Sequence, residues 1–275
     1  MATTVTYKGE TLTTVDNATK VLQTAGTWLE DDLTLVDVSG GGGYTADDLL
    51  YGQIGGSINF TGTKLPAKMS AIGQAITSVN LPNVTTLKIK DGLGDTALPN
   101  ELFAYCPNMT SFHAPSATNT VDKLLFGNSS LVDVNLDSLT DTGSQMMNGC
   151  SSVTVMVLPN VQVCYSNCFA NCTSLTAVDI LGSNYIHSGI FGNDTNLTTL
   201  IIRKNGVCTL QNINNFNGTP FASGGSGGTL YVPSAQISNY QGASNWSTIL
   251  GYANNQIKAI EGSIYETKYA DGRTI

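Results

Sequence analysis

The feature that most constrains this chain is that it repeats itself every 22 residues. Met109, Leu131, Val153, Leu175 and Leu197 form one apolar column at that spacing. Six positions earlier stand Phe103, Leu125, Met147, Phe169 and Phe191, and three positions earlier Cys106, Asn128, Cys150, Cys172 and Asp194. Three positions after the anchor come Phe112, Val134, Met156, Val178 and Leu200, and five after it Ala114, Leu136, Leu158, Ile180 and Ile202. A degenerate earlier copy fits Ile76, Val79, Leu81 and Pro82, with an 11-residue excess before the Met109 copy. A unit this short cannot bury its own apolar face, so the copies must stack on one another into a solenoid.

The +3 and +5 positions alternate as the inward residues of a short strand do. The expected strands are residues 110–114, 132–136, 154–158, 176–180 and 198–202, forming a parallel sheet along one side. What remains of each repeat is too short for a long helix, which leaves a single helical or 3₁₀ turn.

CFANCTSLTAVDI matches the pattern A-F-x-x-C-x-x-L-x-x-V-x-L-P, and LFAYCPNMTSFHAP and MMNGCSSVTVMVLP follow it more loosely. These segments resemble leucine-rich repeats of the BspA-like type over about residues 70–203. The resemblance implies a leucine-rich-repeat solenoid with its parallel sheet on one side. For function it implies adhesion or recognition in general, because fold does not select a partner.

The ends differ from the array. After the last repeat come a glycine run, Gly224 to Gly228, the apolar segment Leu230-Tyr231-Val232 ended by Pro233, and a polar helical stretch carrying Tyr240, Trp246, Ile249 and Leu250. A solenoid exposes the core of its last unit, so residues 204–275 are expected to be a C-terminal cap and tail. At the other end, TVTYKGETLTTV alternates like a strand, DNATKVLQTAGTWLEDD has a short helical pattern with Asp16 or Asn17 as N-cap, and LTLVDV reads as a closing strand. Residues 1–40 therefore form a small α+β module ending in the linker Gly40 to Gly43, and Tyr44 to Phe60 lead into the first repeat as its cover. The array occupies residues 41–203. The N-terminal module resembles those that open tail-associated and other structural proteins of bacteriophages infecting Gram-positive hosts. The YVP segment and the residues after it are similar to the close of BspA-like arrays in prophage and gut-bacterial proteins of the Firmicutes.

Composition excludes several classes. With 41% hydrophobic and 12% charged residues, the chain has surface to bury and is expected to fold. A net charge of −8 argues against nucleic acid, and no Lys or Arg lies between Lys123 and Arg203, where Asp133, Asp137, Asp141, Asp179 and Asp194 fall. No apolar run is long enough for membrane insertion, and the first residues carry no export signal. The six cysteines are expected to be reduced thiols. Cys164, Cys168 and Cys172 stand four apart, but Cys172 belongs to the repeat column of Cys106 and Cys150, so packing is favoured over metal binding. His113 and His187 are read as surface or structural, and no G-x-S-x-G, H-E-x-x-H or P-loop occurs. No metal, cofactor or catalytic residue is expected.

The functional expectation rests on the outward side of the strands. The +4 positions are His113, Asn135, Val157, Asp179 and Ile201, and the +2 positions include Asp133 and Val155. Val155, Val157 and Ile201 are apolar where solvent is expected, so these seven residues form the candidate contact patch. Cover by loops or neighbouring subunits is the equal alternative. The phage resemblance implies a non-enzymatic virion component, in tail, fibre or capsid surface. Its N-terminal module would dock on other virion proteins and its solenoid would present a surface to partner subunits or to a host receptor, protein or glycan. A homo-oligomer, by analogy a trimer, is the corresponding assembly. A bacterial cell-surface adhesin is the rival reading, and a cell-wall hydrolase the third.

Overall fold

The computed structural model describes residues 4–7, 10–13, 56–59, 76–85, 87, 101–181 and 184–275. At the N-terminus β1 (Thr4–Tyr7) and β2 (Glu10–Thr13) pair antiparallel. The helix and closing strand expected over residues 14–38, the glycine linker, and most of Tyr44 to Phe60 lie outside the described residues.

The described array is a solenoid with three walls. The first carries β3 (Gly56–Asn59), β4 (Ile76–Asn80), β5 (Ser111–His113) and β6 (Asp133–Asn135) in one parallel sheet. A second sheet continues that wall with β7 (Val155–Leu158), β9 (Ala177–Ile180), β11 (Thr199–Ile202), β13 (Thr229–Val232) and β14 (Gln256–Ala259), all parallel. The strands fall where the repeat columns place them. The anchor and +5 columns are fully buried, as are the +3 residues Phe112, Met156, Val178 and Leu200. Segment 56–59, expected only to cover the first repeat, instead pairs parallel with β4, with a register shift between Gly56 and Ser57, and so adds a rung.

The second wall is narrower. β8 (Val163–Cys164), β10 (Tyr185–Ile186) and β12 (Thr209–Leu210) form a parallel ladder, and an isolated bridge joins Asp141 to Val163. Only two residues per coil take part, too few to leave a period-two pattern in the sequence.

The third wall replaces the expected helical turn. In four successive coils two residues adopt left-handed backbone, Lys123 with Gly127, Gln145 with Gly149, Asn167 with Asn171 and Gly189 with Asn193, and Tyr105 occupies the second of these positions in the coil before them. Asn and Gly tolerate this conformation best, and two such residues four apart rule out a continuous helix. The backbone hydrogen bonds run between coils instead: Leu125 N–H donates to Met146 O at 2.8 Å, Met147 to Cys168 O at 2.8 Å and Phe169 to Ile190 O at 3.0 Å.

Inside, Phe169 and Phe191 stack at 6.0 Å, and Phe191 and Phe216 at 5.4 Å. At the corners Thr140 Oγ1 donates to Thr118 O at 2.8 Å, Thr176 Oγ1 to Thr154 O at 2.9 Å, and the amides of Asn193, Asn171 and Asn148 form a ladder.

The array does not stop at residue 203. β12 extends the second wall, and β13 and β14 extend the first, so the boundary expected at 204 falls inside the stack. Between β13 and β14 lie α1 (Ile237–Gly242) and α2 (Trp246–Leu250), short helices that bury Tyr240, Trp246 and Ile249. Tyr240 Oη accepts from Cys208 N–H at 3.0 Å, and Trp246 Nε1 donates to Cys208 O at 2.6 Å, so both large rings also satisfy the backbone of the coil they pack against.

Candidate functional site

The outward side of the first wall divides into two halves. In the first, register aligns Ser57, Ser78, Ser111 and Asp133 in one row, and Asn59, Asn80, His113 and Asn135 in the next. Their side chains bond to one another: Ser78 Oγ donates to Ser57 Oγ at 2.8 Å, Asn80 Nδ2 to Asn59 Oδ1 at 2.9 Å, and His113 Nε2 lies 2.8 Å from Asp133 Oδ2. Asp133 is exposed, and His113, Asn135 and Val155 are partly so. This strip is polar and open. Its paired imidazole and carboxylate are water-facing, and in that setting such a contact contributes little to stability.

In the second half the outward residues are covered, the alternative that the sequence left open for this face. Val157 is 5% exposed, and Asp179 and Ile201 are 0% exposed. The cover is the chain's own C-terminal segment, residues 263–275. Arg203 reaches both oxygens of Asp179, with Nε to Oδ1 at 2.8 Å and Nη2 to Oδ2 at 2.7 Å. The same guanidinium donates to the carbonyls of Tyr265 at 3.0 Å and Lys268 at 2.8 Å. Ala270 N–H donates to Asp179 Oδ2 at 2.9 Å, Arg273 Nη1 binds the Asp137 carboxylate at 2.7 and 2.6 Å, and Tyr265 packs on Tyr231 with ring centroids 5.1 Å apart. Both arginines sit against the Tyr269 ring, at 5.0 and 5.7 Å. Apolar residues face outward here because a peptide segment lies on them, and the buried Asp179 is tolerable because the Arg203 guanidinium neutralises it and a backbone N–H donates to it. Val157, Asp179 and Ile201 are therefore part of an internal interface, while His113, Asp133, Asn135 and Val155 remain accessible.

A second patch lies on the second wall. Tyr165 is 40% exposed and its ring stacks on His187, with centroids 5.0 Å apart and planes 17° apart. Tyr185 meets His187 edge-on at 4.6 Å. The bridge between Asp141 and Val163 sets Gly143 opposite Tyr165 in the preceding coil, so no side chain stands in that position. The signal available in the sequence was the placement of rings next to inward residues, Tyr165 directly after Cys164, and Tyr185 and His187 directly on either side of Ile186.

The cysteines point elsewhere. All six are buried. Cys164 lies on the second wall and Cys168 and Cys172 on the third, so the four-residue spacing does not gather them on a helix face. Burial pushes the thiols of Cys150 and Cys168 up to about 12, which leaves them protonated and unreactive. Cys150 and Cys172 donate from Sγ to the carbonyls of Leu125 and Met147, at 3.1 and 3.2 Å, so this column is a hydrogen-bonding column as well as a packing one.

No curated protein matches this chain. Among solved structures it is similar to a leucine-rich repeat protein from Bacteroides ovatus, at 14% identity over 71% of this chain and 70% of that one, with a TM-score of 0.26. The family model described as the BspA type leucine-rich repeat region matches six copies, and no catalytic family is indicated. The residues that this model matches are 96–218.

Proposed function

We propose that this protein is a non-enzymatic binding protein of a phage or prophage virion, presenting its repeat array for recognition of the host surface or of partner subunits. The binding role is supported by the matched repeat type and by the division of the first wall. One half is sealed by the chain's own segment, and the other is a continuous polar strip ending at His113, Asp133, Asn135 and Val155. That strip is the observation on which the reading rests, because a side chain left uncovered on a rigid parallel sheet is held in a fixed pattern that a partner can read. The virion assignment draws on the N-terminal resemblance, with residues 1–40 as the docking element. A trimer is the corresponding assembly, and a cell-surface adhesin is the alternative setting.

A second recognition surface is favoured by the Tyr165, Tyr185 and His187 cluster, since exposed aromatic rings supply contact area at low entropic cost. The two surfaces lie on different walls and can be tested separately. His113→Ala with Asp133→Ala addresses the strip, and Tyr165→Ala with His187→Ala addresses the aromatic patch. Each pair is checked for an unchanged fold by circular dichroism and then for incorporation into particles and attachment to host cells. Loss of either activity in the first pair supports the strip. Loss in the second pair alone moves the contact to the second wall. Wild-type values in both pairs contradict the proposal.

A further inference from the structure

One buried carboxyl group has a partner for only one of its two oxygens. Asp194 is 0% exposed, its Oδ1 accepts from Cys172 N–H at 2.8 Å, and its Oδ2 has no hydrogen bond. Asp194 stands in a column in which three other members, Asn128, Cys150 and Cys172, place a donor toward the previous coil. Asn128 has the same arrangement: its Oδ1 accepts from Cys106 N–H at 2.6 Å, while its Nδ2 donates to Phe103 O at 2.8 Å, 25 residues back. Cys150 and Cys172 donate to Leu125 O and Met147 O, again 25 residues back. Three members of the column therefore each give a proton to the carbonyl of the previous coil. The same step from Asp194 leads to Phe169 O, which a carboxylate oxygen would repel and a carboxylic acid would bond.

We propose that Asp194 is held as a neutral carboxylic acid whose Oδ2 hydroxyl donates to the Phe169 carbonyl, making the joint between its coil and the preceding one weaken as pH rises. The groups facing it do not supply compensating charge. Cys168 and Cys172 of the preceding coil are buried thiols held protonated, with Cys150 beyond them. Segment 215–219 of the following coil, Asn-Phe-Asn-Gly-Thr, has no titratable side chain. Burial accordingly pushes the Asp194 carboxyl up to about 8, the Cys172 N–H opposing this only in part.

The linkage has a definite sign. Above the ordinary aspartate range, near 4, the unfolded chain has released this proton while the folded chain keeps it until about 8. Raising the pH across that window favours unfolding, by up to about tenfold per pH unit in the unfolding constant from this one group. The contribution is complete below the window and gone above it.

Asp194→Asn supplies the donor without the titration and reproduces Asn128. The test is urea unfolding of the full chain and of Asp194→Asn between pH 5 and 9, with the infrared carbonyl band of protonated carboxyl groups recorded for both at pH 7. The expected result is that the wild type loses stability relative to the variant as pH rises through the window, and that the wild type has one protonated-carboxyl band that the variant lacks. Parallel pH profiles would overturn the proposal. If Asp194→Asn does not fold, the infrared spectrum of the wild type decides alone: a protonated-carboxyl band at pH 7 that disappears at pH 9 supports it, and no such band refutes it.

Discussion

Replacing Arg203 by Ala tests whether the C-terminal segment is integral to the wall it covers. The Asp179 side chain is 0% exposed and that of Arg203 10% exposed, so the pair is shielded from water. The guanidinium serves both Asp179 oxygens and two carbonyls of the tail. Its removal leaves a buried carboxylate with one backbone N–H, from Ala270, and such a change costs roughly 3–5 kcal/mol when the surroundings stay closed. The tail can limit that cost by lifting away and admitting water to Asp179. The loss then falls to the free energy of seating residues 263–275, and Val157 and Ile201 become exposed. Urea unfolding measures the first quantity, and hydrogen exchange at the amides of Tyr269 and Ala270 reports the second. The expected outcome is a stability loss of some 2–5 kcal/mol, accompanied by faster exchange when the loss lies at the low end. Asp179→Ala combined with Arg203→Ala should lose less than the sum of the two single changes, because the second removes the charge the first strands. A loss below about 0.5 kcal/mol with unchanged exchange would refute the reasoning.

Other outcomes follow from the same packing. Phe169→Ala should cost roughly 3–5 kcal/mol in chemical denaturation, since Phe169 is buried in a ring stack that continues through Phe191 to Phe216. Gly143→Ala should lower the thermal midpoint although it adds only a methyl group, because that Cβ would lie 2.1 Å from Val121 O and the two coils would have to separate. Val157→Asp and Ile201→Asp should each destabilise the fold strongly, and a melting curve unchanged by both would show that the tail does not cover this half of the wall. Iodoacetamide should leave Cys150 and Cys168 unmodified in the native protein at neutral pH and label them once urea unfolds it, as read by mass spectrometry.

The repeat made the first wall legible. Its period located the strands at 111–113, 133–135, 155–158, 177–180 and 199–202 and identified which side chains enter the core. The second wall escaped notice because a two-residue strand has no alternation to detect, and the third because a turn with two left-handed residues imitates the length of a helical turn. Whether Asp179 and Ile201 are covered or open was undecided in the sequence for a different reason. Their position in the strand is outward, as read, but the segment that buries them is not part of any repeat and meets Asp179 from a distance of 91 residues in sequence. Periodicity reports contacts between equivalent positions of neighbouring coils and is silent about a segment that returns from outside the array. The apolar character of Val157 and Ile201 was the available clue, and it signalled cover within the chain. In the cysteine column, Asn128 and Asp194 marked a site needing a hydrogen-bond donor, a role that small apolar packing alone does not explain.

The most direct measurement of the proposed role is electron microscopy of purified virions from the strain that encodes this chain, labelled with an antibody against it. The account predicts gold at one recurrent position on intact particles, with label lost when residues 1–40 are deleted and the array is otherwise expressed and folded. Particles that carry no label, while the antibody decorates the bacterial surface, would contradict the virion assignment and leave the repeat region to the adhesin reading.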